Sequence, residues 1–319
     1  MMKMLEYTLC HGSGNRFVLI DGVRFEEELA GAELHRLARM TCAPGGLRTG
    51  GLDGLLLLTR IGGRYAMRMF NTDGSEAEMC GNGIRCVARM ARERYVAEDA
   101  FVLLSGGRSY PIRRERPVFE GVPTYSVQIG IGLASGDFPS GGERFVDRPI
   151  PALDEELRFT YLHLGNPHLT ARVERIDYER LERLGERIKR LPELFPRGMN
   201  VSLVRVDGPK RIFAATCERG VGLTDSCGTA MTASTTAQYL SGLCPAGEEI
   251  AVCNRGGMVR CLVEPLAGGL STRLTGNATF EVRGRLEWDD TTLRSETLEV
   301  CGGEQAAYGR FVAHVTNGK

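Results

Sequence analysis

Apolar and polar positions alternate along most of this chain in short runs, punctuated by turns and by four stretches of helical period. Residues 3–22 alternate around Gly12-Ser-Gly14-Asn15, then run through Phe17-Val-Leu-Ile20 into Asp21-Gly22, which predicts strand, loop and strand. Glu26–Met40 carries Leu29, Leu34, Leu37 and Ala38 at helical spacing and stops near Cys42-Ala-Pro44. Leu55–Leu58 and Ala66–Phe70 are predicted strands separated by Gly62-Gly63, and the helix after Cys80 places Ile84, Val87, Ala88 and Ala91 on one face. Val102–Leu104, Ser109–Ile112 and Tyr125–Ile131 predict three more strands.

Around Gly132–Arg144 the composition shifts to Gly, Ser and Pro, which places a domain crossover there, and the second half then replays the order of the first. Phe159–Leu164 leads into Gly165-Asn166-Pro167-His168, and a helix follows with Ile176, Leu181, Leu184, Ile188 and Leu191 on one stripe. Asn200–Val206 and Arg211–Thr216 are predicted strands, Cys227 opens a helix, and Glu249–Cys253, Met258–Val263 and Ser271–Thr275 close the half. Gly228–Gly242 is small and weakly polar all round, as expected of a helix enclosed by sheet. A duplicated two-domain architecture explains this order more simply than one sheet. Of the last residues, Leu298–Cys301 and Tyr308–Thr316 are predicted to form a short hairpin.

Composition narrows the function. The chain has 319 residues, with 40 basic and 40 acidic side chains in formal balance, which argues against a nucleic-acid footprint. The Arg-rich runs Arg108–Arg116 and Arg180–Arg190 are interrupted by Glu or apolar residues and read as solvated faces. No apolar run has the length of a signal peptide or a membrane span, so a cytoplasmic protein is the expectation. Ten cysteines without a Cys-x-x-Cys pair suggest neither a zinc site nor, at this length, a disulfide scaffold. No Walker motif or dinucleotide fingerprint is present, so no metal, pyridoxal phosphate or nucleotide cofactor is expected.

Two cysteines carry the chemistry. Phe70-Asn71-Thr-Asp-Gly-Ser-Glu-Ala-Glu-Met-Cys80-Gly81-Asn82-Gly83 runs from a strand through a polar turn to a cysteine before a helix. Arg211–Ala230 repeats strand, turn, Cys227-Gly228 and helix, and Asn71 and Glu218 each lie nine residues before their cysteine. A helix start attracts anions and lowers the pKa of a thiol placed on it. If the two halves face one another across a cleft, two thiols can flank one carbon, one removing an α-proton while the other delivers one to the opposite face. Helix-start N–H groups would bind the substrate carboxylate more strongly as carbanion charge spreads onto it.

The ordered set of motifs resembles the diaminopimelate epimerase family from about residue 5 to about 288. It comprises Gly-x-Gly-Asn at 12–15, Asn-x-Asp-Gly-Ser at 71–75, Cys-Gly-Asn-Gly-x-Arg-Cys at 80–86, Gly-Asn-Pro-His at 165–168, Asn-Val at 200–201, Glu-Arg-Gly at 218–220 and Cys-Gly-Thr at 227–229. Asn254-Arg-Gly-Gly257 and Leu274-Thr-Gly-Asn-Ala278 resemble the family's closing motifs. The resemblance implies cofactor-independent interconversion of LL- and meso-diaminopimelate in lysine and cell-wall precursor biosynthesis, with Cys80 and Cys227 as acid and base. It implies substrate binding by Asn15, Asn71, Asn166, Asn200, Glu218 and Arg219, and backbone donors at Gly81-Asn82 and Gly228-Thr229. Asn71, Asn166, Asn200 and Arg219 would grip the distal carboxylate, and His168 is given no catalytic role.

The implied fold is α+β. Two pseudo-symmetric domains, 1–132 with 276–319 and 133–275, each roll a mixed, mostly antiparallel sheet around a central helix, and a homodimer is carried over from the family. The chain departs from the family at Arg16 and at Leu223, where an acidic residue is usual, at Ala230 for Gly, and at Asn277 for Pro. In the family pattern Arg16 and Leu223 fall near the reacting centre. The alternatives are a cofactor-independent racemase of another amino acid, or an inactive homologue that binds an amino acid or senses redox state.

Overall fold

The structure is a computed structural model that describes residues 3–24, 31–133, 138, 143–266 and 269–317. It divides into two compact units, Met1–Val127 with Gly276–Lys319, and Gln128–Thr275. Leu29 and its neighbours at 25–30, and most of the Gly/Ser/Pro stretch at 134–142, lie outside the described residues.

The first unit runs β1 (Lys3–Gly12), β2 (Asn15–Asp21), α1 (Gly31–Cys42), β3 (Gly54–Ile61), β4 (Arg64–Phe70), β5 (Glu76–Ala77), α2 (Gly81–Arg94), β6 (Ala100–Ser105), β7 (Arg108–Glu115) and β8 (Thr124–Ile131). The second runs β9 (Arg148–Ile150), β10 (Asp154–His163), β11 (Pro167–Arg172), α3 (Tyr178–Lys189), β12 (Asn200–Gly208), β13 (Arg211–Glu218), β14 (Gly222–Thr224), α4 (Gly228–Leu240), β15 (Glu249–Asn254), β16 (Gly257–Leu266) and β17 (Gly269–Asn277). The chain re-enters the first unit at Gly276, in the last residues of β17, and continues as β18 (Thr279–Trp288), β19 (Leu293–Val300) and α5 (Gly302–Asn317).

The duplication is written in the strand pairings. In the first unit β1–β2 is antiparallel, β2–β3 parallel, β3–β4 antiparallel, β4–β6 parallel, and β6–β7 and β7–β8 antiparallel. In the second, β10–β11, β11–β12, β12–β13, β13–β15, β15–β16 and β16–β17 repeat that order of senses. Each parallel step needs a crossover, and a helix supplies it every time: α1 and α2 in one unit, α3 and α4 in the other. The result is the mixed, mostly antiparallel α+β fold expected from the repeat.

The helices differ by pair. On α1 the buried residues are Leu34, Leu37, Ala38, Thr41 and Cys42, one stripe packed on Val18, Leu55 and Phe70. On α3 the stripe is Leu181, Leu184 and Ile188, packed on Val201, Leu203 and Ala215. By contrast α4 is buried on all sides from Gly228 to Gln238, as its small-residue composition requires. The surprise is α2, buried all round from Gly81 to Ala91 with Arg85 and Arg89 inside, where the pattern predicts a single apolar face.

The predicted C-terminal hairpin is wrong: the segment is strand β19 followed by helix α5. Ala307, Phe311 and Val315 recur every four residues as the buried stripe of that helix, and Tyr308 packs edge-on to His11 at 4.4 Å. Glu304 anchors the helix, accepting from Arg89 Nη1 at 2.5 Å and Nη2 at 2.7 Å and from the Phe280 N–H at 3.1 Å. Arg89 is nearly buried, so Glu304→Ala strands a guanidinium beside Phe280 with Glu93 as its remaining carboxylate. The expected cost is about 3 kcal/mol, read as a lowered urea midpoint and earlier proteolysis of the C-terminal helix.

Candidate active site

In the first unit the chain leaves β4 into a tight turn. The Asn71 N–H donates to Ser75 O at 2.8 Å, the Gly74 N–H to Asn71 O at 2.9 Å, and Asp73 Oδ1 accepts from the Ser75 N–H and hydroxyl. Gly74 has φ of 88°, and a Cβ there would sit 2.6 Å from His35 O, so glycine is required. The Asn71 side chain serves the turn, its Nδ2 donating to Ser75 Oγ at 2.9 Å. The turn delivers Cys80 to the N-cap of α2 in extended backbone, φ −138° and ψ 113°. Its Sγ accepts from the Gly83 N–H at 3.3 Å and lies 3.9 Å from Asn15 Oδ1. Such a start offers first-turn backbone donors, Gly81 and Asn82 here, to an anion. The Asn82 side chain is turned inward, accepting from Arg85 Nη2 at 3.1 Å.

The second unit builds the same cap. Cys227 precedes α4 with φ −126° and ψ 113°, close to the values at Cys80, and the Met231 N–H closes the first turn on Cys227 O at 3.0 Å. Strand β13 ends at Glu218, whose Oε1 accepts from the Thr224 hydroxyl at 2.7 Å. Burial pushes the Cys227 thiol well above its ordinary pKa, and the Glu218 carboxylate pushes it further the same way. The shift holds this thiol in its protonated form.

From Cys227 a hydrogen-bonded chain links the other polar residues of this unit. Cys227 Sγ is 3.5 Å from Thr229 Oγ1, which accepts from Asn166 Nδ2 at 3.4 Å. Asn166 Oδ1 lies 2.9 Å from His168 Nε2, Asn200 Nδ2 lies 3.5 Å from the same nitrogen, and Asn200 Oδ1 accepts the Arg219 N–H at 2.9 Å. The Arg219 guanidinium donates to Arg197 O at 3.1 Å and is otherwise exposed. The parallel register sets His168 opposite Asn200, so the β11–β12 pairing is what aligns this chain.

His168 is fully buried and pushed down to about 3 by burial, then by the Arg219 and His163 charges. His11 in the first unit is also pushed down to about 3, by burial and then Arg16, Arg48 and Arg85. Both are neutral in the folded protein and take up a proton more readily when unfolded. The stability they contribute is complete above the ordinary histidine pKa of about 6.5 and falls as pH drops from there towards 3. Thermal melts should therefore lose stability below about pH 6.5, by about 2–3 kcal/mol per histidine at pH 4.5. A melting temperature flat from pH 7 to 4.5 would contradict this.

Sequence reasoning also expected Arg16 and Leu223 near the reacting centre. Leu223 packs into the core under α3, its backbone paired with Cys217, while Thr224 beside it turns to Glu218. The strand alternation thus removes Leu223 from the Glu218 face. Arg16 is tied down within its own unit: its Nη1 donates to Gly14 O at 3.2 Å and its Nε to Glu281 at 3.5 Å. Two residues assigned no role by the sequence reading, His168 and Arg85, sit in these networks. The signal for Arg85 was its spacing, one helical turn after Gly81 on a helix that the sheet encloses.

The family model for diaminopimelate epimerase matches residues 7–116 and 160–280. The diaminopimelate epimerase of Clostridium acetobutylicum is 36% identical over 295 residues, covering 91% of this chain and 88% of that one. That of Enterococcus faecalis is 38% identical over 279 residues, covering 85% of each. Among solved structures, a Bacillus anthracis protein of the PhzF phenazine biosynthesis family matches with a TM-score of 0.65 at 15% identity, over 90% of this chain and 99% of that one. A hydroxyproline epimerase from Agrobacterium vitis matches with a TM-score of 0.63 at 16% identity, over 91% and 93%. Those two likenesses are of fold, while the sequence matches carry the family: the chain is an isomerase that belongs to the diaminopimelate epimerase family.

Proposed function

We propose that this enzyme interconverts LL- and meso-diaminopimelate without a cofactor, using Cys80 and Cys227 as its two acid/base groups. The observation that carries the reading is the repetition of one device: a cysteine at the N-cap of an enclosed helix, with the same extended backbone, once in each unit. On this reading one thiolate takes the α-proton while the opposite thiol donates to the other face, and the roles exchange in the reverse reaction. The protonated state of Cys227 suits it to donate first. The α-carboxylate would lie on the first-turn N–H groups of Gly81-Asn82 and Gly228-Thr229, where charge developing in the transition state gains most. Asn15, Asn71, Asn166, Asn200, Glu218 and Arg219 would bind the rest of the substrate, Arg219 supplying the charge match for the distal carboxylate.

With the activity come the settings the family implies: a cytoplasmic homodimer making a precursor of lysine and cell wall. The test is to incubate the enzyme in deuterated water with LL-diaminopimelate and a panel of L-amino acids. Deuterium should enter the α-position of diaminopimelate far faster than that of any monocarboxylic amino acid. Label entering only a monocarboxylic amino acid would identify the enzyme as a racemase of that compound.

A further inference from the structure

Helix α2 buries a guanidinium that the chemistry above does not use. Arg85 has no exposed surface, and it donates four hydrogen bonds to backbone, amide and hydroxyl oxygens: Nη1 to Gly81 O at 2.8 Å, Nη2 to Asn82 Oδ1 at 3.1 Å and Ser13 Oγ at 3.3 Å, and Nε to Asn277 O at 3.1 Å. It thereby ties three separate pieces of backbone together: the first turn of α2 behind Cys80, the turn that presents Asn15, and the end of β17.

The turn before Asn15 needs such support. Ser13 has φ of 56° and Gly14 of 85°, so this two-residue hairpin turn holds a non-glycine residue in the left-handed region. Asn277 meets it from the other side. Its Oδ1 accepts the Ser13 N–H at 2.7 Å, and its Nδ2 donates to His11 O at 3.1 Å and Thr279 Oγ1 at 2.9 Å and faces His11 Nδ1 at 3.2 Å. The Gly14 N–H also points at His11 Nδ1, at 3.3 Å, so that nitrogen accepts and the neutral imidazole carries its proton on Nε2. There is no slack in the assembly: a Cβ on Gly12 would lie 2.8 Å from Asn82 O and 2.9 Å from Arg85 Nη2. Asn277 stands where the family motif usually has proline, which can offer neither side-chain contact.

We propose that Arg85 and Asn277 are positioning residues that clamp the Ser13-Gly14 turn to the start of α2, and so fix the Asn15 amide against the Cys80 thiol. Neither touches the reacting atoms. Their effect reaches the reaction through the Gly83 N–H that caps Cys80 and through the placement of Asn15. This assignment rests on Cys80 being one of the two reacting thiols.

The test uses Arg85→Lys, Arg85→Met and Asn277→Ala in the full chain, with circular dichroism to establish folding. Two readouts follow: kcat and KM on LL-diaminopimelate, and the pH dependence of Cys80 alkylation by iodoacetamide, followed by peptide mass spectrometry. Displacement by about an ångström can cost a hundredfold in rate, so Asn277→Ala should lower kcat ten- to a hundredfold with KM changed less than threefold. Its Cys80 alkylation midpoint should move to lower pH, because the thiol loses a steadily held acceptor in Asn15 Oδ1, which favours its protonated form. Arg85→Lys keeps the charge but not the planar fork, so it should lose kcat nearly as Arg85→Met does.

Folded variants with wild-type kcat and a wild-type alkylation midpoint would overturn the assignment, as would full rescue by lysine, which would reduce Arg85 to a buried charge. If Arg85→Met fails to fold, Asn277→Ala and Arg85→Lys decide. If wild-type protein does not turn over diaminopimelate, the substrate reading fails, and the alkylation midpoints still judge the clamp.

Discussion

Cys80→Ala and Cys227→Ala should each reduce epimerase turnover by at least a thousandfold while leaving the circular dichroism spectrum unchanged. Positioned general acid–base groups are worth roughly 10²–10⁴ in rate, and inversion needs one on each side of the carbon, so removing either breaks the cycle. The fold should survive for different reasons at the two sites. Cys80 is partly exposed and contributes one weak cap from the Gly83 N–H. Cys227 makes no side-chain cap bond at all. Alanine at an N-cap costs about 1 kcal/mol, small beside a domain's stability. Turnover intact in either variant would remove the two-base mechanism.

The second large effect is expected at Arg219. Its N–H donates to Asn200 Oδ1 and its guanidinium to Arg197 O, while the residue stays exposed. On the proposed reading it meets the distal carboxylate with a two-pronged charged hydrogen bond. Arg219→Ala should cost about 3 kcal/mol, on the order of a hundredfold in kcat/KM for LL-diaminopimelate. Arg219→Lys should recover little, since an ammonium cannot reproduce the fork. Steady-state kinetics on both variants check this. A kcat/KM within threefold of wild type in Arg219→Ala would place the distal carboxylate elsewhere.

What the sequence revealed and what it concealed follow from the range of the interactions. The cysteines at the two helix starts were legible because an N-cap position is set locally, by the few residues around Cys80-Gly81 and Cys227-Gly228. The repeat was legible because turns and apolar runs recur in the same order. The burial of α2 was concealed, since Arg85 and Arg89 read as a wet face. The carbonyls that satisfy them, at Asn277 and Ala278, lie 192 and 189 residues away. Helix α5 was missed although Ala307, Phe311 and Val315 keep its period, because Gly302, Gly303 and Gly309 weaken its propensity and its partners belong to β1 and β18. That Leu223 faces away from Glu218 was concealed, because a motif position does not say which way a three-residue strand turns its side chains. The Asn166–His168–Asn200 chain depends on the β11–β12 register, which no local pattern specifies.

The central claim is that two thiols serve opposite faces of one α-carbon, and single-thiol variants in deuterated water test it most directly. Each variant retains one base, which can remove an α-proton and return a deuteron on the same side. Cys80→Ala and Cys227→Ala should therefore each label one stereoisomer of diaminopimelate without inverting it, and should label opposite isomers. Inversion by either variant, or labelling of the same isomer by both, would contradict the account.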